Sequence, residues 1–525
     1  MSLDTCFPYA SRRVAQFGTA SVATSQPLAA QAGIAALAAG GNAVDAALAT
    51  AITLTVVEPT MNGLGGDLFA LVHDGANLHG LNSSGRSARA WQPERLAGAG
   101  TMPMTGWDTV TVPGQVRGWE ALHSRFGRLA WADLFETAIR YATDGFLVPH
   151  VVALHWAMQA NWFRDVPGFA EMFLPNGRAP EPGACFRNPY LASSLRCLAQ
   201  EGADSFYRGR LASQIVAFAE ETGGSMRKGD LEDHAAEWVE PMSVDFAGAT
   251  IHELPPNGQG LTALIALALI ERIGFGRDAA TDLHVEIEAT RRAREVVART
   301  VGDPQSMRME PAALLDGAVL DRLASGIDPE RARPADPIAN EGWGTVYLCA
   351  ADHEGMMVSL IQSNYRGFGS GLVVPGTGIS LHNRGSCFVF EKGHPNEARP
   401  CKRPFNTIIP GFMTRNGRPL AAFGVMGGGM QPQGHVQIAA RLLARGENVQ
   451  AAIDAPRWRI ADDGTLMVEE DLPEALVSDL CRRGHQVVRQ PRWDYQFGAA
   501  QAIVRRDDGY EAGTESRRDG CAAVI

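Results

Sequence analysis

Cleaving an amide takes a nucleophile, a base for its proton, and donors for the oxyanion that develops. In this 525-residue sequence the residue whose setting suits that task is Thr345. It opens a short apolar, strand-like run over 345–351. The preceding segment, 327–344, carries Pro329, Pro334 and Pro337 among charged and amide residues and has almost no apolar periodicity, the pattern of an exposed loop. A threonine inside a chain has no base of its own. Once the bond before it is cut, its α-amino group, titrating near pH ~8, can take the hydroxyl proton. The same residues also suit a plain surface connection that runs into a strand. Ser363, eighteen residues on, falls where the second strand of a hairpin would return beside Thr345. Gly427-Gly428-Gly429 separates a strand pattern from a helical one. Glycine there permits close approach to the backbone and φ > 0, whether for a ligand or for an ordinary turn. Arg86, in Ser84-Gly85-Arg86, is a loop residue that can hold a carboxylate in a bidentate fork or stand in solvent.

The elements that must position these residues divide at the loop. Before it, small-residue helical spacing starts after Ser25, a candidate N-cap, with Pro27 in the first turn and Gly40-Gly41 as the stop. A second helix is expected from about Val44, and others over 132–143, 191–202, 210–221, 261–273 and 283–301. The alanine content suggests helices lying close on a sheet. After the loop, 345–351, 356–362, 376–382, 407–414 and 419–425 read as strands, and 435–445 reads as a helix.

Composition narrows the function. The net charge of -11 is spread along the chain without a basic stripe, which argues against nucleic-acid binding. The most apolar stretch, 43–57, contains Asp45 and is too short to span a bilayer. No charged n-region followed by an apolar stretch begins the sequence, so a cytoplasmic address is expected. Eight cysteines without a C-x-x-C pair suggest reduced thiols, and thirteen histidines show no ligand spacing. No metal or other cofactor is expected, and no P-loop is present.

Four stretches carry a resemblance. They are Gly40-Gly41-Asn42-Ala43-Val44-Asp45 with Val57-Glu58-Pro59 and Asn62-Gly63-Leu64-Gly65-Gly66; Thr111-Val112-Pro113-Gly114; Gly344-Thr345-Val346-Tyr347 through Gln362-Ser363 to Gly367-Phe368-Gly369; and Met426-Gly427-Gly428-Gly429 through Gly434-His435 to Asp454-Ala455-Pro456-Arg457. In this order they resemble the γ-glutamyltransferase family of N-terminal-nucleophile hydrolases. Fainter echoes, among them Pro255-Pro256-Asn257-Gly258-Gln259-Gly260 and Arg517-Arg518-Asp519-Gly520, extend it over nearly the whole chain. The resemblance implies an α+β fold, a four-layer αββα sandwich. It also implies a proenzyme cut between Gly344 and Thr345 into a large fragment, 1–344, and a small one, 345–525. The fragments would stay together as an intertwined heterodimer, with further pairing left open. Thr345 would be the nucleophile, Ser363 the hydroxyl on the new α-amino group, and Gly427 and Gly428 the oxyanion hole. Arg86, Asn364, Tyr365, Arg384, Asn406 and Thr407 would line the substrate pocket.

The sequence also departs from that family. Thr345-Val346-Tyr347 stands where Thr-Thr-His is usual, and Gly342-Trp343-Gly344 lacks an expected acidic residue. Cys387 occupies the place of an aspartate that grips the γ-glutamyl α-ammonium, Asn406 and Thr407 replace two serines, and Arg384 replaces a glutamine. A lost anion and a gained cation disfavour a zwitterionic glutamyl head. The expectation is therefore an autoprocessing amidohydrolase or acyltransferase acting on a γ-glutamyl or similar small carboxylate-bearing amide. The alternatives are an oxamate-type or cephalosporin/glutaryl-acylase-like amidase and, in a different class, an unprocessed binding relative.

Overall fold

The computed structural model describes residues 13–334 and 344–525. Residues 1–12, Pro337 and Gly342-Trp343 lie outside the described residues. Strands β1 (Gln16–Gly18) and β2 (Ser21–Thr24) lead to helices α1 (Pro27–Ala38) and α2 (Ala43–Val57), then to β3 (Asp67–His73) and β4 (Leu78–Ser83). A mostly helical stretch precedes β5 (Glu237–Val239), β6 (Met242–Phe246), β7 (Ala249–Glu253), α3 (Gly260–Ile273) and α4 (Ala279–Thr300). Past the loop come β8 (Gly344–Ala351), β9 (Met357–Tyr365), β10 (Gly411–Arg415), β11 (Arg418–Met426), α5 (Gln431–Ala439), β12 (Ala499–Arg506), β13 (Gly509–Thr514) and β14 (Cys521–Val524).

Among the described residues these strands form two seven-stranded sheets, ordered β14-β2-β8-β9-β3-β4-β5 and β1-β13-β12-β11-β10-β7-β6. Neighbours in both are antiparallel. Because strand side chains alternate in direction, β8 feeds two cores at once. Tyr347, Cys349 and Ala351 pack between the sheets with Ala422, Met426 and Ile503. Val346, Leu348 and Ala350 pack against α1 and α2 on the outer face. The far face of the second sheet is covered by α3, α4 and α5 through Leu264, Ala289 and Val436. The layers are therefore helix, sheet, sheet, helix, the expected αββα sandwich.

Small residues set the spacing of these layers. A Cβ on Gly424 would lie 2.4 Å from the Tyr347 ring, so only glycine lets that ring lie flat between the sheets. A Cβ on Gly33 would lie 2.3 Å from the Thr50 hydroxyl, which fixes how closely α1 crosses α2. Every residue of α2 is buried, and Asn42 caps it by accepting from the amides of Val44 and Asp45 at 3.0 Å.

Three local expectations change. Gln26, not Ser25, caps α1, its Oε1 accepting from Ala29 N, while the Ser25 hydroxyl donates to Glu58. The strand expected over 376–382 shrinks to a small pairing of Val373–Val374 with Ile379–Ser380. The run expected from Thr407 becomes a strand only at Gly411, which leaves 406–410 as loop. The described part of the expected loop is held down: His284 contacts the Asp328 carbonyl at 2.9 Å, and Arg291 Nη1 donates to the Arg333 carbonyl at 2.8 Å.

Candidate active site

Strands β8, β9 and β3 are neighbours, and their ends place three polar residues side by side. The β8–β9 hairpin brings Thr345 Oγ1 to 3.0 Å from Ser363 Oγ. Across the other edge of β9, Ser363 pairs in register with Asp67. Ser363 is also bonded to both ends of the local turn. It donates to the Gly344 carbonyl, the oxygen of the peptide bond before Thr345, and it accepts from Tyr365 N at 2.7 Å. Thr345 is 2% exposed and Ser363 fully buried, so the cluster is shielded from water. A Cβ on Gly344 would lie 2.4 Å from Gly367 N and 3.0 Å from Tyr365 O. The backbone thus reserves this position for glycine, which accounts physically for the absence of an acidic side chain there.

Asp67 is the hub of the adjoining pocket. Arg384 meets it through two bonds, Nε to Oδ2 at 2.7 Å and Nη2 to Oδ1 at 3.1 Å, and gives Nη1 to the Thr407 hydroxyl at 2.8 Å. Asn406 Nδ2 donates to Asp67 Oδ2 at 2.8 Å. His382 Nδ1 lies 3.9 Å from the same oxygen, and its Nε2 donates to the Thr111 carbonyl at 2.9 Å. The Arg384 guanidinium also lies over the Tyr365 ring, 4.7 Å from its centroid. Burial opposes the Arg384 charge, but Asp67 beside it keeps its pKa above the ordinary value. Burial pushes the Tyr365 phenol well up, with Cys387 next to it adding to the shift, and pushes the Cys387 thiol up as well. Burial also lowers His382, leaving a neutral imidazole. The net positive pocket expected from Arg384 is therefore replaced by a balanced ion pair.

The glycine turn follows β11. Gly427 has φ +132° and Gly428 φ +60°, both in the region that favours glycine. Met430 N donates to Gly427 O at 3.0 Å. Gln259 Nε2 donates to Thr407 O at 2.6 Å and to Gly428 O at 2.9 Å, so one amide joins the pocket loop to the turn. Below it, His435 Nε2 accepts from Val425 N at 3.2 Å, so its proton is on Nδ1, which donates to Glu253 at 2.6 Å.

An unbroken set of contacts thus runs from Thr345 through Ser363, Asp67, Arg384 and Thr407 to Gln259 and Gly428. Asn406 and Tyr365 join it. Asn364 turns to the other face of β9, where its Nδ2 donates to Ser380 Oγ at 3.1 Å. Arg86 Nη1 donates to Asp303 at 2.7 Å and to the Cys401 carbonyl at 3.3 Å, on a separate cavity of about 150 Å³ that Arg403 and His234 also line. Asp67 and Gln259 were not singled out from the sequence. The available signals were an acid directly after Gly65-Gly66 at a strand start, and a glutamine inside Asn257-Gly258-Gln259-Gly260.

The profile of the family described as Gamma-glutamyltranspeptidase matches residues 29–525. The chain belongs to the γ-glutamyltranspeptidase family. It is an enzyme of that family, an autoprocessing amidohydrolase with the N-terminal-nucleophile fold. It is 35% identical over 514 residues to the glutathione hydrolase-like YwrD proenzyme of Bacillus subtilis, covering 95% of this chain and 97% of that one. It is 36% identical over 511 residues to the oxamate amidohydrolase proenzyme of Klebsiella pneumoniae, covering 94% and 96%. Its structure superposes on cephalosporin acylase from Bacillus halodurans with TM-score 0.95 and 43% identity, over 100% of this chain and 99% of that one. Among the described residues no group of three His, Cys, Asp or Glu could hold a metal ion, and no helix is long and apolar enough to cross a membrane.

Proposed function

We propose that this γ-glutamyltranspeptidase-family chain cuts itself between Gly344 and Thr345 and then hydrolyses small carboxylate-bearing amides through a Thr345 acyl-enzyme. The observation that carries the proposal is the buried contact of Ser363 with both the Thr345 hydroxyl and the Gly344 carbonyl. In the intact chain the Thr345 oxygen adds to the Gly344 carbonyl carbon while Ser363 donates to its oxygen. The C–N bond then breaks, the hydroxyl proton passes to the departing nitrogen, and an ester links Gly344 to Thr345 Oγ1. Water cleaves that ester to a Gly344 carboxylate, leaving a large fragment 1–344 and a small fragment 345–525 that begins with a free threonine amine.

In turnover that amine, titrating near pH ~8, takes the Thr345 hydroxyl proton and later gives it to the leaving nitrogen. The amides of Gly427 and Gly428 receive the oxyanion. Gly428 begins a helical segment, so its N–H has no partner within that segment. Water, or an acceptor amine, then releases the acyl group.

The charge balance favours an acyl group without an α-ammonium. Both oxygens of Asp67 are engaged by Arg384, and one also by Asn406. Cys387, in the place of the expected aspartate, is a thiol kept neutral by burial. A buried ammonium would have no counter-charge there, and that is costly. Oxamate or glutaryl amides, which carry no α-ammonium, fit this reading better than γ-glutamyl amides; Arg86 could hold their carboxylate only by releasing Asp303 in its separate cavity.

The deciding experiment is intact mass spectrometry of wild type beside Thr345→Ala, followed by a substrate panel. Two fragments in the wild type, the smaller starting at Thr345, and a single 56.2 kDa chain in the variant are expected. One uncut chain in both overturns the nucleophile. Faster turnover of γ-glutamyl-p-nitroanilide than of oxamate or glutaryl amides overturns the substrate class.

A further inference from the structure

The glycine turn is intrinsically loose, since both of its residues occupy backbone regions open chiefly to glycine, which has the most conformational freedom to lose. An oxyanion hole works only if its donors are aimed before charge develops. Something must therefore hold the turn.

We infer that Gln259 is the positioning residue of this turn: its side-chain amide holds the Gly428–Gly429 peptide, the plane next to the one that carries the Gly428 N–H, and so limits rotation at Gly428. A peptide group is planar, with its N–H and C=O pointing in opposite directions. The bond from Met430 N to Gly427 O at 3.0 Å therefore directs the Gly428 N–H away from the helix that follows. The next plane, between Gly428 and Gly429, is held at its carbonyl by Gln259 Nε2 at 2.9 Å, and Gln431 N donates to the same oxygen. The second hydrogen of that amide goes to Thr407 O at 2.6 Å, beside the hydroxyl that Arg384 contacts.

Gln259 is itself fixed. It is 3% exposed, and its backbone N donates to Asn406 O at 3.0 Å. Asn406 N in turn donates to Asn257 O at 2.9 Å, so the loop bearing Gln259 and the pocket loop move as one piece. The donor that receives charge and the loop that reads the acyl group thus share one anchor. Losing it leaves the Gly428–Gly429 peptide held by Gln431 N alone and leaves the buried Thr407 carbonyl without that donor.

This inference rests on the oxyanion role proposed for Gly427 and Gly428. Its test uses the full cut protein and two variants, Gln259→Leu and Gln259→Glu. For Gln259→Leu, kcat is expected to fall ~10- to 100-fold, toward the loss typical of an oxyanion donor, with KM within about threefold. A residue that only supports the fold would lower the thermal midpoint without this split. In Gln259→Glu only the protonated carboxyl can donate to a carbonyl, so the ratio of variant to wild-type kcat rises as pH is lowered. An unchanged kcat in Gln259→Leu, or a ratio flat with pH in Gln259→Glu, overturns the inference. If Gln259→Leu does not fold, the Gln259→Glu ratio decides alone. Activity surviving in Thr345→Ala would instead remove the reading beneath it, so the two failures are distinguishable.

Discussion

Replacing Ser363 with alanine is the sharpest probe of self-cleavage. One oxygen makes three contacts: with Thr345 Oγ1 at 3.0 Å, with the Gly344 carbonyl, and with Tyr365 N at 2.7 Å. In the resting precursor the change strands a buried carbonyl and a buried amide, at about 1–3 kcal/mol each. The two together come to about 2–6 kcal/mol, a drop in midpoint of roughly 4–24 °C at ~2–4 °C per kcal/mol for a domain of 150–250 residues. The thermal midpoint of Ser363→Ala is therefore measured first, to show that it is folded at the assay temperature. In the cleavage transition state the loss is larger, because negative charge gathers on the Gly344 oxygen as Thr345 adds. Removing a donor to such an oxyanion costs about 3–4 kcal/mol, or ~10²–10³ in rate. The assay is the rate at which the full-length band converts to two fragments on denaturing gels after synthesis is stopped. Ser363→Thr, which keeps the hydroxyl, should cut within about tenfold of wild type. Self-cleavage of Ser363→Ala within twofold of wild type, with Tyr365 N still protected from exchange, would refute the reasoning.

Two further outcomes are expected. Gly344→Ala places a Cβ 2.4 Å from Gly367 N, a backbone atom that cannot step aside. The scissile carbonyl should shift and precursor conversion slow by ~10²-fold, the usual effect of an ångström-scale misplacement; gel time courses at wild-type speed would remove the steric account. Glu58, bonded to the Ser25 hydroxyl, is pushed up from 4.5 to about 7 by burial, with the Ser25 bond and Arg518 opposing the shift. Its folded pKa lies above its unfolded one, so its stabilising contribution is full below pH 4.5 and is lost as pH rises to about 7. The full difference is on the order of 3 kcal/mol. Glu58→Gln should therefore gain stability relative to wild type between those limits in denaturant titrations, and a pH-independent difference would contradict the assignment.

The parts legible in the sequence are those whose partners lie close along the chain. Thr345 and Ser363 are one hairpin apart, so spacing alone foretold their contact. The layers were implied by the family resemblance, and the alanine-rich helices before the loop and strand patterns after it were compatible with them; the sheet strands before the loop were not read from the sequence. Asp67 escaped notice because Arg384 and Asn406 meet it from more than three hundred residues away, through strand order that no local pattern encodes. Gln259 escaped for the same reason. Asn364, whose pocket role is implied by the family resemblance, lies by strand alternation on the face of β9 opposite Ser363, where it meets Ser380. The charge of Arg384 was legible, but its neutralisation was not, because that depends on which acid the fold brings alongside.

The sheet order has a consequence for inheritance. With the proposed cut before Thr345, strand β2 belongs to the large fragment and lies between β14 and β8 of the small one, while β1 pairs with β13 in the other sheet. Halves woven together in this way cannot trade partners without unravelling both sheets. In a cell carrying two alleles of this gene, each mature molecule will keep the two halves it was born with. A lesion before Gly344 in one allele and a lesion after it in the other will therefore fail to complement, even though every half needed for a working enzyme is being made.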